Sequence, residues 1–431
     1  MVKIKKQDLR AVKGMHDILP ADQSYWSFVL KKAKTLFEDY GFERIDTPLV
    51  EMASLFEKST GETTDIVQKE MYTFKTRGGE MLALRPEFTP GIVRAYIEHG
   101  MHVMPHPIQL WMFGPLFRHD NPQAGRYRQF HQLDAEMFGD ESPAADAQLI
   151  FIGYKILENL GLKNLVIRVN SIGDQNCRPQ YIKALKDFFR GREKKLCGSC
   201  QLRMKTNPLR VLDCKIEVCK EVSKDAPQFL DHLDEACKKH FQSVLEFLDE
   251  AKVPYLLDAR LVRGLDYYTR TTFEFYIDSG VEGSAQSALG GGGRYDRLVA
   301  MMGGPKTPAV GWAMGVERII MALKEKEIVP PTSHVQPKIF LAQLGEMAKK
   351  KSLALFEEFR KTGIPVKASF GRDSIKSQLK IAHRLGIKYT LLMGQKEAID
   401  NSIILREMDS GVQETVPLDR IVDVVKAKLK K

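Results

Sequence analysis

The chain has 431 residues, of which 43% are hydrophobic and 28% charged, with a net charge of +10 and a pI ≈ 9.1. This length is too great for one ordinary hydrophobic core and predicts two or three domains. No apolar run approaches the roughly 20 residues of a membrane span, and the first residues contain no hydrophobic segment typical of a signal peptide. We therefore expect a cytoplasmic protein with no membrane association.

The first third of the chain predicts helices and directly connected strands. Apolar residues at helical spacing indicate a helix over 21–40, and FERIDTPLVE indicates a strand with Pro48 at a sheet edge. A hairpin with its turn at Gly78–Gly79 and a helix over Thr89–Glu98 follow. IQLWMFGPLFRHD and RQFHQLDAEMFG then predict two strands joined by the polar loop NPQAGRY. Such direct connections favour an α+β fold, with an antiparallel sheet flanked by helices.

The middle of the chain interrupts this pattern. After a helix over 144–159 and the strand NLVIRVNSIG, residues 178–253 are mostly helical, polar and Cys-containing, which indicates an insertion. Strands are predicted again in YLLDARLVRGLDYY and TTFEFYID. A glycine run follows, and AVGWAMGVERIIMALKEK predicts a strand or turn that leads into an amphipathic helix.

The last hundred residues predict a separate α/β domain. KEKEIVPPTSHVQP has adjacent prolines and no periodicity, as is typical of a linker, and strands and helices alternate from 338 to 393 before a final amphipathic helix. From 331 to 431 there are 14 lysines and 5 arginines against 11 acidic residues, a net charge of +8. This excess fits either a solvated lysine-rich surface or a domain that meets a polyanion.

Two segments of the first half place polar groups where they could bind a ligand. In LRPEFTPGIVRAY, Glu87 and Thr89 could hold an ammonium group, although Pro and Thr there could also simply begin a helix. In FRHDNPQAGRYRQFHQLDAE, three arginines on one hairpin suit phosphate oxygens, because guanidinium binds them through two parallel hydrogen bonds. The period of two places three polar residues of the second strand on one face: Gln132, Asp134 and Glu136.

Two further segments combine glycines or tyrosines with arginine. LVRGLDYYTRTTFEFY places Arg263, Asp266 and two tyrosines at the entrance of a strand, where packing alone does not need them. Gly290–Gly293 could form a turn or allow a ligand or strand to approach the backbone closely. This run matches neither the P-loop nor GxGxxG, which disfavours the ordinary nucleotide-binding folds. Arg318, after a Gly-rich turn, could face a phosphate.

Four of the six cysteines lie between Cys197 and Cys219. Cys197 and Cys200 have the spacing of a zinc knuckle, whereas Cys214 and Cys219 are more widely spaced than usual. A structural zinc ion is therefore one interpretation, and free thiols in a mobile insertion are the preferred one.

In this order and spacing, these segments resemble class II aminoacyl-tRNA synthetases, and among them the histidyl-tRNA synthetase family. FEDYGFERIDTPLVE, the Arg118 hairpin and GVERIIMAL resemble the three class motifs, while RGLDYYT and LGGGGRYDRL resemble the two histidine-specific signatures. The resemblance covers essentially the whole chain. It implies a class II catalytic domain over 1–325 with a helical insertion at about 178–253. A linker over 326–336 and an α/β anticodon-binding domain over 337–431 would follow.

The resemblance also implies an activity and its site. Such enzymes activate L-histidine with ATP and Mg²⁺ and transfer it to the 3′ end of tRNA(His), as homodimers. Arg263 and Arg118 would be catalytic. The implied histidine-binding residues are Glu87, Thr89, Arg118, Gln132, Glu136, Arg263, Tyr267, Tyr268 and Tyr295. Those implied for ATP are Arg118, Asp120, Arg126, Phe130, Glu317 and Arg318, and those for the tRNA acceptor end are Gln123 and Arg126.

Two departures from the family pattern affect these assignments. Phe88 and Pro90 stand where the family usually has small residues, and Asp120 stands where most class II enzymes have a glutamate that contacts adenine. The alternative function is that of a histidine-binding regulatory paralogue of ATP phosphoribosyltransferase, which charges no tRNA. A second alternative is an RNA-binding protein on an inactive synthetase scaffold. The intact arginines argue against both, whereas the basic C-terminal region argues only against the first and would fit the second.

Overall fold

The computed structural model describes residues 9–61, 64–278, 288–331, 337–371 and 374–430. The chain divides into two compact units, Met1–Pro331 and Thr332–Lys431, which are considered separately. Part of the predicted linker, residues 332–336, lies outside the described residues. Within the described ranges, none of the helices has both the length and the apolar character that crossing a membrane requires.

The first unit combines long and short elements. Its strands are β1 Glu43–Arg44, β2 Val50–Met52, β3 Thr73–Lys75, β4 Met81–Leu84, β5 Ile108–Phe117, β6 Gln129–Phe138, β7 Leu165–Ser171, β8 Tyr255–Leu257, β9 Thr269–Ile277, β10 Gly290–Arg294 and β11 Ala309–Gly315. Its α-helices are α1 Gln23–Asp39, α2 Ala53–Thr60, α3 Thr89–Glu98, α4 Pro143–Asn159, α5 Arg178–Phe189, α6 Gly198–Thr206, α7 Glu217–Val222, α8 Glu235–Glu250, α9 Leu298–Met301 and α10 Val316–Glu325.

An eight-stranded sheet in the order β1-β5-β6-β11-β10-β9-β7-β8 forms the centre of this unit. Its pairs are antiparallel except β1 with β5 and β7 with β8, which confirms the predicted antiparallel sheet. One face packs on α1, α4, α8 and α10 through residues such as Trp111 and Leu133. Because side chains alternate along a strand, Asp134 and Glu136 point to the opposite face, which we call the site face.

Three predicted segments differ in the structure. FERIDTPLVE is not one strand, because β1 joins the large sheet while β2 joins the small sheet β2-β4-β3, and Pro48 lies between them. Most of YLLDARLVRGLDYY is irregular, and only Tyr255–Leu257 is a strand. The glycine run is a central strand, since a Cβ on Gly292 would lie 2.0 Å from the Gly311 carbonyl oxygen of β11.

Residues 178–253 are mostly helical, as predicted, but they divide between two cores. α8 packs on the helix face of the large sheet through Phe241, Val244 and Leu248. The remainder packs with the site-face core through residues such as Tyr181 and Leu185.

The second unit is a five-stranded sheet with helices. Its elements are β12 Ile339–Gln343, α11 Glu346–Lys361, β13 Val366–Ala368, α12 Ile375–Arg384, β14 Tyr389–Met393, α13 Gln395–Ile399, β15 Ser402–Glu407, β16 Gln413–Pro417 and α14 Ile421–Lys430. The order is β13-β12-β14-β15-β16, parallel for the first three and antiparallel beyond. The predicted alternation to 393 and the last helix are confirmed, whereas α13 and the hairpin β15–β16 were not predicted.

Candidate functional site

Two adjoining cavities open on the site face of the large sheet. The first, of ≈ 370 Å³, contains the buried carboxylates of Glu87, Asp134 and Glu136, and we call it the carboxylate cavity. The second, of ≈ 330 Å³, contains Arg126 and Arg318, and we call it the arginine cavity. Several side chains line both cavities, among them Glu70, Arg118, Arg126, Gln132, Arg263 and Glu274.

Glu136 occupies the floor of the carboxylate cavity. Its carboxylate accepts hydrogen bonds from the Thr89 hydroxyl at 2.6 Å and from the Tyr295 hydroxyl. Burial raises the pKa of Glu136 to about 8, although these hydrogen bonds oppose the rise. Gly311 on the neighbouring strand leaves room for this carboxylate, because a Cβ there would lie 1.5 Å from Glu136 Oε2.

Glu87, like Asp134 in the same cavity, is a carboxylate that the protein leaves incompletely satisfied. Tyr267 donates a hydrogen bond to its Oε2 at 3.3 Å, while Oε1 is buried and has no partner among the described residues. Burial raises the pKa of Glu87 to about 7, and the charge of Arg118 opposes the rise. A buried polar atom without a partner is costly, so this geometry suits a ligand that donates a hydrogen bond or carries positive charge.

Three tyrosines form one wall of the carboxylate cavity. Tyr267, Tyr268 and Tyr295 are buried, with ring centroids 4.7 Å apart for the first two and 5.6 Å apart for Tyr267 and Tyr295. Burial raises the pKa of Tyr268 to about 12, so its hydroxyl remains a hydrogen-bond donor at neutral pH. The irregular path of 258–268 brings the first two tyrosines into the cavity, which a regular strand would not do.

Arg263 lies between the two cavities and is held by Glu274. Its Nη1 donates to the Glu274 carboxylate, and its guanidinium lies 5.6 Å from the Tyr268 ring centroid. Burial alone would lower the pKa of Arg263, but Glu274 together with Tyr268 and Tyr267 outweighs burial and raises it. Gly291 accommodates this cation, since a Cβ there would lie 2.9 Å from Nη1. Arg263 Nε has no hydrogen-bond partner in the described part of the chain.

Arg118 follows β5 and also lines both cavities. It donates from Nε to the Pro86 carbonyl oxygen at 2.9 Å and lies 5.4 Å from the Phe130 ring centroid. The pairing of β5 with β6 therefore presents a fixed cation beside Arg263. Two guanidinium groups so placed suit a phosphate or carboxylate group.

The arginine cavity is organised by the loop between β5 and β6 and by the start of α10. Arg126 pairs with Asp120 at 3.3 Å. Arg318 donates to the carbonyl oxygens of Gly125 at 3.0 Å and Ala288 at 2.7 Å. Glu317 accepts from the backbone N–H of His131 at 2.9 Å, which ties α10 to β6. The cavity therefore presents several fixed cations to an anionic ligand.

The structure brings together most residues that the sequence predicted for the site. Nine of them line the carboxylate cavity: Glu87, Thr89, Arg118, Gln132, Glu136, Arg263, Tyr267, Tyr268 and Tyr295. Those predicted for ATP line the arginine cavity: Arg118, Asp120, Arg126, Phe130, Glu317 and Arg318. Gln123 is outside the described lining of both cavities and pairs with Arg126 through the backbone.

The two departures from the family pattern have local explanations. Phe88 is buried beneath Arg85, whose guanidinium carbon lies 4.7 Å from the Phe88 ring centroid. Pro90 occupies the first turn of α3. Arg85 itself donates to the Thr47 carbonyl oxygen at 2.6 Å, which makes it a structural residue. Asp120 pairs with Arg126, so its carboxylate orients a cation of the arginine cavity.

Sequence reasoning missed Glu70, Glu274 and the contribution of the insertion. Glu274 lies between the buried Phe273 and Phe275 on β9, so strand alternation places it on the opposite face from them. This pattern in the sequence could have identified it as a site residue. Glu70 ends a π-helical turn, Ile66–Glu70, and no sequence pattern indicated it. In the insertion, Asn207 donates to Asp266 at 2.7 Å, and Arg210 lines the carboxylate cavity.

Comparisons with known proteins agree over nearly the whole chain. Residues 14–319 match the family model for histidyl-tRNA synthetase, and residues 328–428 match the model for an anticodon binding domain. The chain is 44% identical to the histidine–tRNA ligase of Syntrophotalea carbinolica over 413 residues, which cover 96% of this chain and 97% of that protein. It is 45% identical to the histidine–tRNA ligase of Dehalococcoides mccartyi over 417 residues, 97% of this chain and 99% of that one.

Solved structures show the same similarity. The crystal structure of apo S. aureus histidyl-tRNA synthetase superposes with a TM-score of 0.77 at 35% identity and covers 98% of this chain and 99% of that one. An ATP phosphoribosyltransferase regulatory subunit/histidyl-tRNA synthetase from Bacillus halodurans has a TM-score of 0.63 at 18% identity and covers 90% and 98%. The second similarity shows the fold alone.

Proposed function

The chain belongs to the histidyl-tRNA synthetase family, and we propose that its two cavities carry out the two steps of histidine–tRNA ligation. L-Histidine and ATP form histidyl-adenylate and pyrophosphate, and the histidyl group then passes to the 3′ end of tRNA(His) with release of AMP. The observation that carries this proposal is that Arg118 and Arg263 line both cavities. An amino acid on one side and a nucleotide on the other would meet at these cations.

The carboxylate cavity would bind histidine. Glu87, with its unpaired Oε1, would accept from the α-ammonium group together with Thr89 and Gln132. Glu136 and Tyr268 would satisfy the two imidazole nitrogens, because an unpaired buried donor or acceptor costs about 1–3 kcal/mol. The rings of Tyr267 and Tyr295 would close the pocket.

The arginine cavity would bind ATP for in-line attack by the histidine carboxylate on the α-phosphate. Negative charge builds on the phosphoryl oxygens, and fixed cations there lower the barrier. Arg263 would contact the α-phosphate, Arg118 the same phosphate and the substrate carboxylate, and Arg318 the triphosphate. Asp120, Phe130 and Glu317 complete the predicted ATP site.

Mg²⁺ would accompany ATP, and the acidic residues of the site fit it. Mg²⁺ in such sites is held by one or two carboxylates together with substrate phosphates. Glu70 is the carboxylate that could serve here, because it lines both cavities, whereas Glu274 is engaged by Arg263. Bound there, the ion would neutralise charge on the phosphates.

The tRNA would contact both units. We assign 1–325 as the catalytic domain, with 326–336 as linker and 337–431 as the anticodon-binding domain, supported by the matching family model and the net charge of +8 over 331–431. Gln123 and Arg126, in the loop between β5 and β6, would meet the acceptor end. The regulatory-paralogue alternative is less supported. The Bacillus halodurans structure whose name includes a regulatory subunit is only 18% identical to this chain, whereas the two ligases are 44% and 45% identical.

Oligomeric state and location are part of the same proposal. The small sheet β2-β4-β3 exposes Val50, Met52 and Phe74 on one face, an apolar surface that suits a homodimer interface. All six cysteines are free thiols, as expected in the reducing cytoplasm.

The experiment is ATP–pyrophosphate exchange with each standard amino acid, followed by charging of tRNA(His). Exchange with histidine alone and subsequent charging are the expected results. Histidine binding without exchange would contradict the ligase function and favour the regulatory paralogue. Exchange without charging would separate adenylate formation from transfer.

A further inference from the structure

Four cysteines of the insertion, Cys197, Cys200, Cys214 and Cys219, converge on one point, and we call them the cysteine cluster. Their sulfur atoms all lie within 4.8 Å of one another, and all but Cys197 are buried. All four are free thiols. Cys197 therefore shares one site with Cys214 and Cys219, which lie 17 and 22 positions further along the chain, without a covalent bond between them.

Local structure positions each sulfur. Cys197 precedes α6 and Cys200 lies in its first turn, so the two sulfurs face the same side. Cys214 follows a 3₁₀ turn over Pro208–Val211, and Cys219 lies in α7. The backbone N–H of Cys197 donates to Cys219 Sγ at 3.2 Å, as is common around sulfur ligands of a metal.

The separations match a metal site and do not match disulfides. Four thiolates at a Zn–S distance of about 2.3 Å in a tetrahedron lie about 3.8 Å apart. Cys197 Sγ and Cys214 Sγ are 4.0 Å apart, whereas disulfide sulfurs are about 2.05 Å apart. Tetrahedral coordination by four sulfurs is characteristic of Zn²⁺ or an iron centre. We propose that the cysteine cluster binds one structural Zn²⁺ ion, which braces the segment 197–219 against the carboxylate cavity.

The braced segment makes direct contacts beside that cavity. Asn207 Nδ2 donates to Asp266 Oδ1 at 2.7 Å, and Asp266 is the neighbour of Tyr267. Arg203 and Arg210 of the same segment reach the Asp65 carboxylate at 3.3 and 2.8 Å. Arg210 and Asp65 also line the carboxylate cavity. A metal that fixes both ends of this segment would therefore hold part of the cavity wall.

The first test measures metal directly. Full-length protein, purified without chelator and with any tag removed, is analysed by plasma mass spectrometry, and about one zinc per chain is expected. Cys214→Ser should lose the zinc. Cys177→Ser is the matched control, since Cys177 is also buried but lies outside the cysteine cluster, and it should keep the zinc.

A second measurement needs no variant, in case Cys214→Ser fails to fold. Replacing the zinc of the unaltered protein with Co²⁺ should give the strong visible bands of tetrahedral cobalt and thiolate-to-cobalt charge transfer in the near ultraviolet. Reduced protein that contains no metal and gives no such bands overturns the proposal, and so does iron in place of zinc. Zinc that is lost in Cys177→Ser but kept in Cys214→Ser would also overturn it. The metal would then belong to a second group of potential ligands, Asp174, Cys177, Asp234 and Cys237.

The bracing role rests on the proposed function and has its own readout. In pyrophosphate exchange, zinc loss through Cys214→Ser should raise the KM for histidine by about 10-fold, with the KM for ATP unchanged. An unchanged KM for histidine in a zinc-free variant would overturn the bracing role. Absence of exchange in the unaltered protein would contradict the ligase function. The zinc proposal would then still be tested independently, by the metal content of the protein.

Discussion

At the scale of single residues, Arg263 is the group on which the proposed chemistry most depends. Replacing it with alanine should lower kcat for pyrophosphate exchange by about 10²–10³-fold, because a fixed charge that faces the developing phosphoryl charge is removed. Steady-state exchange kinetics provide the measurement. Arg260→Ala is the control, since Arg260 is exposed and, among the bonds described, its side chain donates only to the Lys224 carbonyl oxygen. Equal loss in both variants would contradict the role of Arg263.

Glu136 makes stability depend on pH in a predictable direction. Its folded pKa is about 8, above the ordinary value of 4.5, so the folded state holds a proton that the unfolded state releases. Stability from this group is therefore present below about pH 4.5 and decreases as pH rises towards 8. Ligand-free Glu136→Gln should thus gain thermal stability relative to the unaltered protein at pH 8 and gain less at pH 5.

Thermal unfolding monitored by circular dichroism at both pH values would measure this effect. Glutamine retains an oxygen that can accept from the Thr89 hydroxyl, so the substitution isolates the ionisation. If the difference in unfolding temperature between Glu136→Gln and the unaltered protein is the same at pH 5 and pH 8, the Glu136 carboxyl has an ordinary pKa.

At the scale of elements, β10 shows how the glycines shape the sheet. A Cβ on Gly292 would lie 2.0 Å from the Gly311 carbonyl oxygen and 2.6 Å from Trp312 Cα, both backbone atoms that cannot rotate away. Gly292→Ala should therefore lower the free energy of unfolding by about 1–3 kcal/mol. Urea denaturation measures it. Gly78→Ala, with its nearest atom 3.7 Å away, should be close to neutral, and similar losses in both would contradict the explanation.

The small sheet β2-β4-β3 carries the proposed dimer interface. Phe74 is 44% exposed on this sheet, and an aspartate there would place a charge in the interface. Phe74→Asp should shift the protein towards monomer in size-exclusion chromatography with light scattering. Val412→Asp, on an exposed residue of the second unit, should leave the mass unchanged. A monomeric unaltered protein would contradict the homodimer.

The elements also show where sequence patterns are insufficient. Helices α1 and α10 were predictable because apolar residues recur at helical spacing along one face of each. The strand β10 was not, because glycines carry no side-chain pattern and its place depends on β9 and β11. Residues 258–268 have a strand-like composition, yet their tyrosines and arginine take an irregular path into the cavities.

At the scale of the whole molecule, the two units have separate hydrophobic cores, so they can be separated experimentally. A chain ending at Pro331 should retain histidine-dependent pyrophosphate exchange, because both cavities lie in the first unit. Charging of tRNA(His) should fall by about 10³-fold, because the basic unit that would contact the phosphate backbone is missing. Exchange and charging assays on the truncated chain test this, and full charging would contradict the anticodon-binding assignment.

The sequence by itself predicted the antiparallel α+β fold from periodicity and direct strand connections, and it predicted the candidate residues of the site through the resemblance of its ordered motifs to the family. Glu87, Arg118 and Arg263 could be named from short segments alone. Only the tertiary structure decided that these residues meet at two adjoining cavities, that Glu274 holds Arg263, and that four distant thiols share one point. The physical reason is that burial, ion pairing and metal geometry depend on contacts between segments far apart in the chain, which no local pattern records.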